Sequence, residues 1–109
     1  PVSYEEIKAE PPRVRAGEMV NIEFTINRRR YCRAYLDMFI KSVPDNKIIT
    51  RKSVAGGASE LGTEDLKTSH PVPAGTVPGE YDFITRGYYD CFEGMHVVHF
   101  PTARFTVMP

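Results

Sequence analysis

The chain contains no tryptophan, only two cysteines and three leucines, and no run of apolar residues longer than three. A helix that crosses a bilayer needs about 20 apolar residues, so no segment of this sequence can form one. Fourteen Lys/Arg stand against fourteen Asp/Glu. Without an excess of either sign, no bulk field draws the protein to nucleic acid or to an anionic membrane. At 109 residues the chain is long enough for one domain and too short for two. Apolar residues make up 41%, which argues against intrinsic disorder.

What is present favours strands. Ten Val, seven Ile and eight Thr give 25 β-branched residues, and six Tyr with six Phe add twelve aromatics. These side chains suit a pleated, half-buried surface, whereas Leu, Ala and Glu favour helices. The chain begins Pro1-Val2-Ser3 without an initiator methionine. The expectation is that a leader was removed or that a longer chain was cut.

Alternation locates the strands. Val20, Ile22, Phe24 and Ile26 share one side of Met19–Asn27, and Asn21, Glu23 and Thr25 share the other. Such a period of two marks a strand with one buried face. In 31–43 the even set Cys32, Ala34, Leu36, Met38 and Ile40 is apolar and is expected to point inward. In 80–91 the odd set Tyr81, Phe83, Thr85, Gly87, Tyr89 and Cys91 is expected inward, because the even set carries three charges. Weaker strands are expected over 3–9, 47–54 and 63–72, with a last one over 96–108. Pro101 makes that last strand an edge strand or a bulged one, since proline cannot donate to a ladder. Turns fall at Arg15–Glu18 and Pro44–Asn46. Seven short strands with no helical period predict an all-β, two-sheet antiparallel sandwich. Residues 1–12 form an N-terminal edge strand or arm in this reading, and 13–109 form the sandwich.

Arg15-Ala16-Gly17-Glu18 before an alternating strand resembles the lead-in to the second strand of immunoglobulin-like and fibronectin type III-like domains. Val72-Pro73-Ala74 followed by Val77-Pro78-Gly79-Glu80-Tyr81 resembles their corner before the sixth strand. The resemblance implies a fold rather than an activity. It departs from antibody-type domains in lacking a core tryptophan, and its cysteines lie elsewhere: Cys32 opens the third strand and Cys91 closes the sixth. The pattern is also similar to short phage- and prophage-encoded proteins that carry one such domain behind a membrane anchor.

In such sandwiches the third and sixth strands are neighbours, which implies a Cys32–Cys91 disulfide and an oxidising compartment. The alternative is two reduced, buried thiols. The outer face of the same two strands presents Tyr31, Arg33, Tyr35, Asp37 and Phe39 on one and Ile84, Arg86 and Tyr88 on the other, with Val98 and Phe100 of the last strand beside them. Tyr, Phe and Arg are enriched in binding hot spots, so this face is the expected surface for a protein partner or a homodimer. Scattered surface aromatics, or cover by the N-terminal arm, are the plainer alternatives.

Charge is unevenly spread: residues 13–52 hold ten Lys/Arg and four Asp/Glu, a net of +6, and the rest carry −6. Arg28, Arg29 and Arg30 form a connection able to bind an anion, or simply a solvated loop tip. Neutral total charge argues against nucleic acid. Met95, His96 and His99 suggest a copper or zinc site only weakly, because a spacing of three on a strand puts the two imidazoles on opposite faces. Gly56, Gly57 and Gly62 are followed by no Gly-Lys-Ser/Thr, so they form no phosphate loop. No arrangement of Ser, His and Asp matches a nucleophile motif. No catalytic residue and no cofactor is expected. The predicted function is a non-enzymatic structural or recognition module, extracytoplasmic and tethered, if at all, by a segment outside this chain. A small periplasmic metal-binding domain and an accessory domain of a larger enzyme are the alternatives.

Overall fold

The computed structural model describes residues 2–28, 33–56, 62–91 and 94–109. They form strands β1 (Val2–Ala9), β2 (Arg13–Arg15), β3 (Met19–Arg28), β4 (Arg33–Ser42), β5 (Ile48–Gly56), β6 (Gly62–Pro71), β7 (Gly79–Cys91), β8 (Gly94–His99) and β9 (Ala103–Met108), and no helix. One sheet has the order β1-β3-β6; the other runs β2-β9-β7-β4-β5, with β8 also paired to β7.

The all-β, two-sheet expectation holds. Nine strands replace the expected seven, and one pairing is parallel. Prolines account for both changes. Pro11 and Pro12 have no N–H to give, so neither continues the β1 ladder. The chain leaves the first sheet there and joins the second as β2, parallel to β9, with Val14 opposite Val107. Pro101 interrupts the last strand, so β8 and β9 pair with successive lengths of β7. The Phe100 amide still donates to the Thr85 carbonyl at 3.1 Å across the gap. Both expected turns are present, with Gly17 at φ 89° in the first and Asn46 at φ 62° in the second.

The core lies between the sheets. Val20, Ile22, Phe24 and Ile26 of β3 face Met38 and Ile40 of β4, Tyr81, Phe83 and Tyr89 of β7, and Phe105 and Val107 of β9. Phe24 meets Phe83 and Phe100 edge-on at centroid distances of 6.4 and 5.9 Å. Phe83 is fully buried, and burial of that ring contributes roughly 2–3 kcal/mol. Gly87 is required here: a Cβ at this position would lie 2.5 Å from Cε2 of Tyr89. His70 of β6 is buried too. Its ring lies 4.5 Å from Phe83, and Nε2 shares a 2.8 Å hydrogen bond with the Thr68 hydroxyl. Burial, with Lys52 adding to it, lowers the His70 pKa to about 4, so this imidazole is neutral at pH 7.

The parity expected for β4 and β7 is the one observed, with one qualification and one correction. Asp37 and Phe39 sit on the outer side of β4 as expected, yet are only 4% and 9% exposed, because side chains of β5 and β7 close over them. Val98 and Phe100 do not join the outer face. Phe100 is core, and Val98 packs against the core. Ala103, Phe105 and Val107 also face the core, so the inward set changes from even to odd positions across the break at Pro101. Met95, Val97 and His99 point outward instead.

Candidate functional site

The outer face of the larger sheet is a grid fixed by register. Its central row runs Ala55 on β5, Tyr35 on β4, Tyr88 on β7 and Val97 on β8. One step along the strands in one direction lie Arg33, Asp90 and Met95. One step in the other lie Ser53, Asp37, Arg86 and His99, and beyond them Arg51, Phe39 and Ile84. The rings of Tyr35 and Tyr88 tilt toward each other at 6.0 Å. Tyr35 is 46% exposed, Val97 52% and Met95 62%.

Beside this apolar row a buried carboxylate organises the charges. Arg51 donates to both oxygens of Asp37, from Nε at 3.1 Å and Nη2 at 2.8 Å, and the Ser53 hydroxyl adds a third bond at 3.3 Å. A carboxylate covered by neighbouring side chains stays ionised when it is paired and hydrogen-bonded. The Arg51 hydrogen bonds hold its pKa below the ordinary carboxylate value against the desolvation that would raise it, with Ser53 and the Arg86 charge helping. Arg86 lies over the Phe39 ring at 5.6 Å and is exposed to solvent. Among the described residues it has neither a hydrogen-bond acceptor nor an ion pair. A shallow depression of about 220 Å³ opens over Phe39 between Arg51, Arg86 and Lys41.

Of the surface residues named from sequence, Arg33, Tyr35, Phe39, Ile84, Arg86 and Tyr88 come together on this face. Arg51, Ser53, Met95 and Val97 were missed. A hairpin turning at Asp45 already places Ser53 opposite Asp37 with Arg51 one step away, so this half was readable. The β8 half was lost with the parity flip.

Tyr31, Cys32, Arg29 and Arg30 lie outside the described residues, and Arg28 closes β3. Cys91 is 6% exposed at the end of β7, and no described cysteine is a free thiol. His96 turns inward and His99 outward, so β8 does not bring the proposed Met95, His96 and His99 ligands to one face. No cluster of three His, Cys, Asp or Glu able to hold a metal occurs among the described residues. A second cleft of about 520 Å³ lies at one end of the sandwich between residues 42–49 and 75–81. Its exposed Asp45 has a lowered pKa, chiefly from a Ser42 hydrogen bond. No His or Cys lines it, so it offers no nucleophile–base pair of the Ser–His or Cys–His kind.

No family model matches the chain, and no curated protein matches it. Solved structures do. The alkylpurine DNA glycosylase AlkC of Pseudomonas fluorescens, bound to DNA containing an abasic site analogue, aligns with a TM-score of 0.62 at 16% identity. The alignment covers 99% of this chain and 30% of that one. A family 123 glycoside hydrolase from Clostridium perfringens aligns at 0.58 and 10% identity, over 88% of this chain and 22% of that one. The sporulation control protein Spo0M of Bacillus subtilis aligns at 0.49 and 16% identity, over 99% and 49%. At such identities the likeness is one of fold, and the chain spans less than half of each neighbour.

Proposed function

We propose that this chain is a non-enzymatic recognition module of immunoglobulin-like fold that works by protein contact through the outer face of β5-β4-β7-β8. The row Tyr35–Tyr88–Val97, exposed at Tyr35 and Val97 and half-buried at Tyr88, carries this reading where it is set against an organised Asp37–Arg51–Arg86 cluster. Apolar and aromatic surface ringed by oriented guanidinium groups is the composition of binding hot spots. Tyr35→Ala and Tyr88→Asp are expected to leave thermal unfolding unchanged while weakening association, measured by sedimentation, at least tenfold (~1.4 kcal/mol). Association unaffected by both substitutions would contradict it.

The immunoglobulin-like assignment is supported by β4 and β7 lying side by side, by β2 running parallel along β9, and by a tyrosine corner. In that corner the Tyr81 hydroxyl donates to the Val77 carbonyl four residues upstream. The Cys32–Cys91 disulfide is supported by the β4–β7 ladder, whose last described pair, Arg33 and Asp90, stops one residue short of both cysteines. Closing so long a loop would contribute roughly 4 kcal/mol and would favour an extracytoplasmic setting. Titration of the unfolded, unreduced protein is expected to find no free thiol; two thiols would remove both the bond and the localisation.

A second reading, an accessory domain of a larger enzyme, is favoured by the two neighbours in which this fold is under a third of an enzyme chain. Sequencing the flanking reading frame decides it: a catalytic domain in the same frame supports this reading, and its absence removes it.

A further inference from the structure

The contact face is self-complementary, and we infer that its occupant is a second copy of this chain, in a two-fold dimer whose facing strands run antiparallel. The inference rests on the contact-face reading above and adds the partner and the register. The sign of charge reverses across the central row on both middle strands. On β4, Arg33 lies on one side of Tyr35 and Asp37 on the other; on β7, Asp90 lies on one side of Tyr88 and Arg86 on the other. Turning a copy over about an axis along the Tyr35–Tyr88–Val97 row exchanges the two sides. Arg86 then meets the partner's Asp90, and Asp90 meets the partner's Arg86, while the aromatic row stacks on itself.

Both groups suit the role. Arg86 and Asp90 are exposed, and neither makes an ion pair with another described residue. The cation–π contact with Phe39 holds the guanidinium in place before contact, which reduces the entropy lost on binding. An Arg and an Asp side chain together span the roughly 10 Å between packed sheets. Asp37 takes no part, being covered and already bound by Arg51. An axis along the strands would instead pair Arg33 with the partner's Asp90 and set Arg86 against the partner's Asp37, which Arg51 already holds, so the guanidinium fixed over Phe39 would gain no partner. Four strands and eight residues of strand length cover about 19 by 27 Å, on the order of 500 Å² per copy. That is the low end for specific association, so the dimer is weak and concentration-dependent.

Charge exchange tests the register. Sedimentation velocity of the unmodified chain over about 10–500 µM is expected to show reversible dimerisation. Arg86→Asp and Asp90→Arg, each folded by circular dichroism, are expected to weaken self-association at least tenfold alone. Their equimolar mixture is expected to regain it, because each supplies the charge the other lacks. A mixture of Arg33→Asp with Asp90→Arg is expected to stay monomeric. A monomeric parent throughout this range overturns the dimer. Association that Tyr88→Asp blocks, but that the first mixture does not restore or the second does, overturns the register and leaves the contact face standing. Association untouched by Tyr88→Asp overturns both.

Discussion

The two sheets turn very different outer faces to solvent, although the same alternation builds both. On β1-β3-β6 the outward groups answer one another. Glu23 lies between Lys8 at 3.7 Å and Lys67 at 3.4 Å, Thr25 donates to Asp65 at 2.9 Å, and Ser69 donates to Asn21 at 2.7 Å. On β5-β4-β7-β8 the central row is aromatic and aliphatic, the satisfied carboxylate of Asp37 beside it is buried, and Arg86 and Asp90 face outward without an ion pair among the described residues. A face that resolves its own polar groups needs only water. A face that exposes apolar surface beside oriented charge has something left to bind.

The comparison sharpens first at His70, beneath the polar sheet. Its folded pKa of about 4 lies below the unfolded value of 6.5, so the unfolded state binds the extra proton first. Its contribution is intact above about pH 6.5 and is lost progressively toward pH 4, by up to roughly 3 kcal/mol. Chemical denaturation of parent and His70→Gln across this window is expected to show the steeper fall in the parent; parallel curves would mean that the histidine is not desolvated. Next is Asp37→Ala on the aromatic face. It strips Arg51 of its partner and uncovers Phe39, at a cost of about 2 kcal/mol in denaturant unfolding. The matching change on the polar face, Glu23→Gln, is expected to cost under about 1 kcal/mol and less still at high salt, because its lysine partners are exposed and screened. Equal losses at Asp37 and Glu23 would erase the distinction between the faces.

Sequence pattern showed the parts of this fold where alternation runs unbroken. Met19–Asn27, the even set from Ala34 to Ile40 and the odd set from Tyr81 to Cys91 could be read directly, because a one-residue slip there would send every apolar side chain into water. It failed where proline resets the chain. Pro11 and Pro12 move the chain between sheets, and Pro101 reverses parity, which hid Val97 and Met95 and misplaced Phe100. The burial of Asp37 was hidden for another reason. Alternation assigns a side of the sheet, not a depth, and depth on the outer face depends on long side chains such as Arg51 closing over a neighbour.

The most direct test of the central claim uses both faces in one sample. Hydroxyl-radical footprinting at rising protein concentration has a probe on each sheet: Met95, 62% exposed on the aromatic face, and Met19, 52% exposed at the start of β3. The account predicts that Met95, Tyr35 and Tyr88 lose reactivity together as the chain associates, while Met19 stays constant. Protection at Met19 with Met95 unchanged would contradict it.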